Sequence, residues 1–293
     1  MDDQLRQQAI ALYDRFTHDG MERRDFFAAM SRIAGGAAAA NLLIGSIAAS
    51  PAAAAVVPAN DKRLRTTTTM LLANGPTPYK AYVAEPRSGA AKRGTVIVVH
   101  ENRGLNEHTR DVARRLALAG CRAVAHDFLS PAGGTPANED MARTAIGKLD
   151  LGAATAAGLA MLDELRTRKG SNGHVGAVGF CWGGAYVNRL AVAAGSKLGA
   201  GVAYYGPAPD PAEAKRVSSP LMLHYAGLDE RVNATGKPWV AALKAAGRRV
   251  NSFTYAGVNH AFNNDTSAER FNKAAADLAW KRTLEFFREH LRN

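Results

Sequence analysis

Cysteine is scarce in this 293-residue sequence, which contains only Cys121 and Cys181. Two cysteines are too few for a disulfide scaffold, and these two lack the spacing of zinc ligands. Proline is also scarce, at 12 residues beside 28 glycines, which excludes a collagen-like or proline-rich fibre. With 22% charged and 47% apolar residues, the chain is expected to fold around a sizeable core rather than stay disordered. The length suits one large α/β domain or two small ones.

Acidic residues are outnumbered by basic ones, and the formal net charge of +11 raises the question of a nucleic-acid partner. The basic residues occur in small scattered groups, such as Lys92-Arg93, Arg114-Arg115 and Arg248-Arg249. None of these groups alternates with aromatic residues, as a groove for single-stranded nucleic acid would require. The sequence therefore predicts a solvated basic surface and no nucleic-acid partner.

Charge is absent between residues 33 and 57, where alanine dominates. The twin arginine of Arg23-Arg24-Asp25-Phe26-Phe27 precedes this stretch, and the small residues 50–55 that follow fit an A-x-A cleavage site. We predict that residues 1–57 are a leader containing a twin-arginine export signal. The partner of this leader is then the twin-arginine export machinery, and the location of the protein is periplasmic.

A second interpretation of residues 1–57 stays open. The apolar residues before the twin arginine, among them Leu5, Ile10 and Phe16, have the spacing of a helix. The segment would then be a helical extension that caps a cytoplasmic protein. A stable membrane span is not expected, because alanine and glycine make residues 33–57 only weakly hydrophobic.

Strands alternate with helices from residue 66 onward. Residues 66–72 and 78–84 predict two antiparallel strands joined around Asn74-Gly75. Residues 95–100 form a continuous apolar run, typical of a strand buried on both faces. Residues 58–293 therefore predict an α/β domain with a doubly wound, mostly parallel sheet and helices on both faces. In such a sheet the chemistry lies at the carboxyl ends of the strands.

The segment Gly179-Phe180-Cys181-Trp182-Gly183 stands between a predicted strand and a predicted helix. Its spacing is that of the G-x-S-x-G nucleophile elbow, with cysteine in the place of serine. Glycines on either side let the neighbouring backbone pass, and the helix N-terminus favours a thiolate. We predict that Cys181 is a nucleophile. The other interpretation is a buried structural cysteine.

A thiol nucleophile needs a base, and the base needs an acid that orients it. Asp229 follows the predicted strand that ends at Tyr225, and His260 follows the one that ends at Tyr255. Nucleophile, acid and histidine then occur in the chain order typical of α/β-hydrolases. We therefore predict a Cys181, Asp229 and His260 triad, with Glu230 as a rival acid.

The sequence resembles the dienelactone hydrolases, also called carboxymethylenebutenolidases, over residues 66–292. The resemblance rests on residues 179–184, 204–206, 226–229 and 257–262 and on His100-Glu101-Asn102-Arg103-Gly104. It implies an α/β-hydrolase fold and hydrolysis of a small ester or lactone through a thioester acyl-enzyme. No cofactor is expected, and no metal, because no cluster of histidines and carboxylates has ligand spacing in the sequence.

The same resemblance implies roles outside the triad. Glu101 is expected to contact the resting cysteine and to help form the thiolate, although an ion pair with an arginine such as Arg103 is the other interpretation. The backbone N–H groups of Asn102 and Trp182 are expected to form the oxyanion hole. Substrate contacts are expected from Arg103, Tyr204, Tyr205 and Phe262.

The sequence departs from the family at the two arginines that bind the substrate carboxylate in well-known dienelactone enzymes. Pro131 and Asn264 stand at those places, and Arg103 is the candidate substitute. A small ester or lactone is therefore expected as the substrate, without a more specific assignment. The alternative function is a small-molecule binding protein that has the α/β-hydrolase fold but no turnover.

Overall fold

The computed structural model describes residues 2–48 and 55–292. The helices in these ranges are α1 (Asp3–His18), α2 (Arg23–Ala34), α3 (Ala37–Ile47), α4 (Glu107–Leu118), α5 (Glu139–Gly147), α6 (Leu151–Thr167), α7 (Trp182–Ala194), α8 (Glu230–Ala245) and α9 (Lys273–His290). The strands are β1 (Leu64–Leu71), β2 (Tyr79–Pro86), β3 (Arg93–Val99), β4 (Arg122–His126), β5 (Ser171–Phe180), β6 (Ala200–Tyr204), β7 (Leu221–Ala226) and β8 (Val250–Tyr255).

All these strands form one sheet in the order β1-β2-β4-β3-β5-β6-β7-β8. Strand β2 pairs antiparallel with β1 and β4, and the other neighbours are parallel. The predicted α/β class, with its doubly wound and mostly parallel sheet, is confirmed. The carboxyl ends of β3, β5, β7 and β8 therefore lie along the same edge of the sheet, where the loops after them can meet.

Alternating side chains of the central strands fill two apolar layers, one on each face of the sheet. In β3, Ile97 and Val99 belong to the layer covered by α6, α7 and α8, while Val96 and Val98 belong to the layer covered by α4 and α9. Burial on both faces explains why the strand is a continuous apolar run in the sequence.

Side-chain caps determine where two helices of the domain begin. Asn106 accepts a hydrogen bond from the Thr109 backbone N–H at 3.1 Å, so α4 begins at residue 107. Asn272 accepts one from the Ala275 N–H at 3.0 Å, so α9 begins at residue 273. The residues just before α9 are thereby free to form the loop that follows the catalytic candidate His260.

Helices α1, α2 and α3, here called the cap, pack around an apolar cluster of their own. The rings of Phe16 and Phe26 stack with centroids 4.1 Å apart. Arg23 of the twin arginine begins α2 and forms an ion pair with Asp140 of α5 at 2.6 Å. Most of the predicted cleavage segment, residues 50–54, lies outside the described residues, and export stays a prediction.

Within the described ranges, none of the helices alone has the length and apolar character of a membrane span. Two sharply bent helix pairs, α2 with α3 and α5 with α6, meet those criteria only when each pair is taken together.

Two adjacent leucines of α3 test whether the cap has a specific core. Leu43 is 8% exposed and Leu42 is 79% exposed. We expect Leu43→Ala to destabilise the cap by about 2–5 kcal/mol, because it leaves a cavity in the cluster. Leu42→Ala is expected to stay within about 0.5 kcal/mol of the wild type. Limited proteolysis within residues 3–47 measures the difference, and equal cleavage rates for the two variants would contradict the packing described.

Candidate active site

Cys181 lies in a strained turn between β5 and α7, with a positive φ of 56°. Two glycines make this turn possible. A Cβ atom on Gly179 would lie 2.0 Å from the Gly183 carbonyl oxygen, and one on Gly183 would lie 2.5 Å from the Val99 carbonyl oxygen. The turn thus needs glycine at both positions, and it holds the cysteine side chain at the carboxyl edge of the sheet.

The start of α7 supplies hydrogen-bond donors beside this cysteine. Trp182 is the first residue of the helix, so its backbone N–H has no acceptor within the helix. Asn102, from the loop after β3, lines the same small cavity as Cys181, and its side-chain amide donates to the Thr17 carbonyl oxygen at 3.4 Å. Of the two residues predicted for an oxyanion hole, Trp182 thus begins α7 and Asn102 lies in the loop after β3.

Asp229 and His260 meet at the same edge of the sheet. Asp229 caps α8 and accepts a hydrogen bond from the Val232 N–H at 3.1 Å. Its other oxygen, Oδ2, is 2.6 Å from Nδ1 of His260. The second ring nitrogen of His260, Nε2, is buried and has no hydrogen-bond partner within the described ranges. With Nδ1 bonded to the carboxylate, Nε2 is the nitrogen available to the sulfur.

Burial alone would lower the pKa of His260, but attraction to Cys181 and the hydrogen bond with Asp229 outweigh it and raise that pKa to about 10. Burial raises the pKa of Asp229, yet its hydrogen bond and charge interaction with the same imidazole lower the pKa on balance. Both directions favour an imidazolium bonded to a carboxylate. The surroundings of His260 are thus those of a base that can hold a proton.

Glu101 lines the cavity beside the sulfur without an ion pair to Arg103. Its Oε2 accepts a hydrogen bond from the Asn264 side-chain amide at 3.0 Å, and its Oε1 is buried without a partner within residues 2–48 and 55–292. Arg103 instead pairs with Glu139 and donates to the Tyr13 hydroxyl of α1. Asn264, which stands where the family has an arginine, thus orients Glu101.

Three residues that were expected to contact the substrate do not line the cavity. Tyr204, at the end of β6, has its hydroxyl 2.6 Å from Thr283 Oγ1 in the core. The Tyr205 ring packs 5.0 Å from the ring of His260, and Phe262 is fully buried against Tyr205. None of the three lines the cavity at Cys181, because all three are buried in the apolar layer on that face of the sheet.

The cap reaches directly over the sulfur, which the sequence did not indicate. His18, the last residue of α1, has Nε2 3.9 Å from Cys181 Sγ, and its ring centroid is 4.9 Å from that of His260. Burial lowers the pKa of His18, and the charge on His260 lowers it further. The cavity left beside the sulfur measures about 20 Å³, room for about one water molecule. An ester can therefore reach the sulfur only when α1 moves aside.

Arg270, in the loop before α9, is the other residue that sequence reasoning missed. It lines the cavity, and its guanidinium lies 5.1 Å from the centre of the Tyr13 ring. Its Nη1 is 3.4 Å from Oδ1 of Asp14, a carboxylate whose pKa is raised because burial outweighs the attraction of the nearby positive charges. These contacts fasten α1 to the domain beneath it.

Comparison with known proteins gives a consistent result. A family model described as "Dienelactone hydrolase family" matches residues 79–291. A protein of Escherichia coli O157:H7 named "Putative carboxymethylenebutenolidase" is 31% identical over 225 residues, which cover 72% of this chain and 82% of that protein. A crystal structure from Klebsiella pneumoniae, described as a "Putative Dienelactone Hydrolase", is 28% identical with a TM-score of 0.66, over 77% of this chain and 99% of that one.

One similar structure also extends over the cap. An esterase, rPPE, matches with a TM-score of 0.65 and covers 99% of this chain and 98% of its own, at 14% identity. At that identity the likeness shows the fold alone.

The raised pKa of His260 predicts how stability depends on pH. A raised native pKa stabilises the fold fully below the unfolded value of about 6.5, and this contribution is lost as the pH rises through about 10. The excess stability of the wild type over His260→Gln should therefore shrink between those two pH values in urea unfolding. His174→Gln, which replaces an exposed histidine in the same way, is the matched control. If the stability difference between the wild type and His260→Gln grew with pH, the raised pKa of His260 would be contradicted.

Proposed function

Because the chain belongs to the dienelactone hydrolase family and is a hydrolase acting on esters or lactones, we propose that Cys181 is its nucleophile. His260 is the base and Asp229 orients it. One observation carries this proposal, the environment of the buried His260 imidazole. Its Nδ1 is 2.6 Å from Asp229 Oδ2, and its Nε2 has no hydrogen-bond partner within the described ranges. Nucleophile, base and acid are thus presented by three separate loops at one edge of the sheet.

The first half of the reaction forms a thioester. The Cys181 thiolate adds to the carbonyl carbon, and the electron pair of the C=O bond moves to oxygen. The backbone N–H groups of Trp182 and Asn102 are the proposed donors to this oxyanion, and each such donor contributes about 3 kcal/mol of transition-state stabilisation. When the carbonyl re-forms, the C–O bond to the leaving group breaks, and the His260 imidazolium gives its proton to that oxygen.

The second half releases the acid. Neutral His260 takes a proton from water as the water oxygen adds to the thioester carbonyl. Collapse of this second intermediate breaks the C–S bond and restores the Cys181 thiolate beside the imidazolium. The net change is addition of one water to the ester or lactone, with no group left on the protein.

Glu101 is proposed to take part in forming the thiolate. A carboxylate near a thiol can accept its proton, but it repels the thiolate once formed, so it must be able to change partner. The contacts of Glu101 suit this role, since Asn264 holds one oxygen and the other has no partner in the part of the chain that the structure describes. Rotation about the held oxygen would turn the free oxygen away from the sulfur.

The substrate is proposed to be a small ester or lactone that contacts Arg103. This arginine lines the cavity and is bonded to the Tyr13 hydroxyl of the cap, so displacement of α1 would free a cationic N–H donor at the cavity that contains the sulfur. Tyr204, Tyr205 and Phe262 are not assigned to substrate, since they are buried and do not line the cavity.

Access to the site is proposed to depend on the leader. The twin arginine at residues 23–24 favours export to the periplasm, and cleavage at residues 50–55 would remove α1, α2 and α3 together. The site beneath would then open, because α1 supplies the wall that reduces the cavity to about 20 Å³. Cleavage would therefore raise the rate at which esters reach the sulfur, which in the full-length chain depends on movement of α1.

Cysteine chemistry is tested by hydrolysis of p-nitrophenyl acetate. We expect Cys181→Ala and His260→Ala each to lower kcat at least about 10³-fold, because each removes a member of a unit that acts together. The matched control is Cys121→Ala, which removes the other cysteine. Burial raises the pKa of Cys121 to about 11, so this variant should keep wild-type kinetics. Equal slow rates in all four proteins would instead indicate a binding protein without turnover.

Export is tested by fractionating the natural host and sequencing the mature N-terminus. The wild type should appear in the periplasm with a new N-terminus near residues 50–57. Replacing both arginines of the signal, Arg23→Lys with Arg24→Lys, should leave the full-length chain in the cytoplasm. Arg32→Lys, on the same helix, is the control and should be exported. A wild type found intact in the cytoplasm would contradict the proposal.

A further inference from the structure

Hydrolysis makes no use of His18, yet this residue completes a cluster of nitrogen and sulfur donors with Cys181 and His260. One ring nitrogen from each histidine and the sulfur all lie within 4.8 Å of one another. We propose that these three side chains bind a zinc-like divalent metal ion, which joins the cap to the catalytic residues and stops hydrolysis.

The donor set suits such an ion. Tetrahedral zinc binds cysteine sulfur at about 2.3 Å and histidine nitrogen at about 2.0–2.1 Å, so two ligand atoms on one ion lie roughly 3.3–3.6 Å apart. His18 Nε2 is 3.9 Å from Cys181 Sγ, and the widest separation in the cluster requires a contraction of about 1 Å. Imidazole and thiolate favour zinc, cobalt and copper over magnesium and calcium, which prefer oxygen ligands.

The surroundings of His260 resemble those of a metal ligand. Its Nδ1 is 2.6 Å from Asp229 Oδ2, and a carboxylate at this nitrogen fixes the ring and makes the other nitrogen a better donor to metal. That other nitrogen, Nε2, is on a side chain only 2% exposed and has no partner within residues 2–48 and 55–292. A metal ion would satisfy an otherwise unpaired buried nitrogen.

Space and charge at the cluster are also compatible with a cation. The cavity of about 20 Å³ holds about one water-sized sphere, which is the size of a metal ion or of the water that fills its fourth position. Glu101, which lines the cavity, supplies a negative charge. The two arginines at the cavity already have carboxylate partners, Arg103 with Glu139 and Arg270 with Asp14.

Two consequences follow from an occupied site. With the metal on its sulfur and on Nε2 of the base, the protein has neither a free nucleophile nor a free proton acceptor. The bond to His18 also holds α1 over the cavity. Metal binding itself does not depend on the proposed function, whereas the loss of hydrolysis does.

The full-length chain tests the site with Co²⁺ alone as the probe. Wild type should bind one Co²⁺ and show the visible and thiolate-to-cobalt absorption of a tetrahedral site, and Cys181→Ala should lose the thiolate band. His18→Ala, and His18→Gln in case the smaller side chain disturbs the cap, should bind at least about tenfold more weakly. The control is His174→Ala, which removes an exposed histidine and should bind as the wild type does.

A second readout uses Zn²⁺ with thermal unfolding and p-nitrophenyl acetate hydrolysis. Zn²⁺ should raise the Tm of the wild type but not of His18→Ala, because binding to the native state alone stabilises it. The Zn²⁺ concentration that halves the rate, relative to each variant's own metal-free rate, should rise at least about tenfold in His18→Ala. Equal Co²⁺ affinity with and without His18 would overturn the proposal. Tight, His18-dependent Co²⁺ binding in a protein that hydrolyses no ester would instead count against the proposed function and leave the metal site standing.

Discussion

The hydrogen bond between Asp229 and His260 is the interaction on which the site depends. At 2.6 Å it fixes the imidazole so that Nδ1 faces the carboxylate and Nε2 is left for the sulfur. Burial lowers the pKa of the imidazole, and this bond acts with the attraction to Cys181 to raise that pKa instead. The proposed nucleophile, the proposed proton transfers and the proposed metal ligand set all depend on the orientation that this one bond imposes.

The topology of the sheet brings these groups together. Parallel strands have their carboxyl ends at one edge, so residues that follow β5, β7 and β8 meet although 31 to 79 positions separate them in the chain. The cap uses the same edge. His18, the last residue of α1, lies beside both the sulfur and the imidazole, and the cavity there measures about 20 Å³. The loops at this edge of the sheet surround a cavity, and α1 of the cap forms part of its wall.

Much of the domain could be predicted from the sequence because the evidence for it is local. The apolar run at residues 95–100 and the glycines around Cys181 each reflect a local requirement, burial on both faces in one case and a turn without Cβ atoms in the other. The position of His18 could not be predicted, since nothing near it in the chain reflects a partner 163 residues away. The same holds for Tyr204, whose orientation depends on a hydroxyl partner, Thr283, on the distant helix α9.

The central claim is that acyl transfer proceeds through the Cys181 sulfur, and trapping the acyl-enzyme tests it most directly. The protein would be mixed with excess aryl acetate, quenched in acid within the first turnover, digested and measured by mass spectrometry. The account predicts one acetyl group, labile to hydroxylamine, on the peptide that contains Cys181, and none on the peptide that contains Cys121. An acetyl group on another residue, or turnover with no adduct on Cys181 at any quench time, would contradict it.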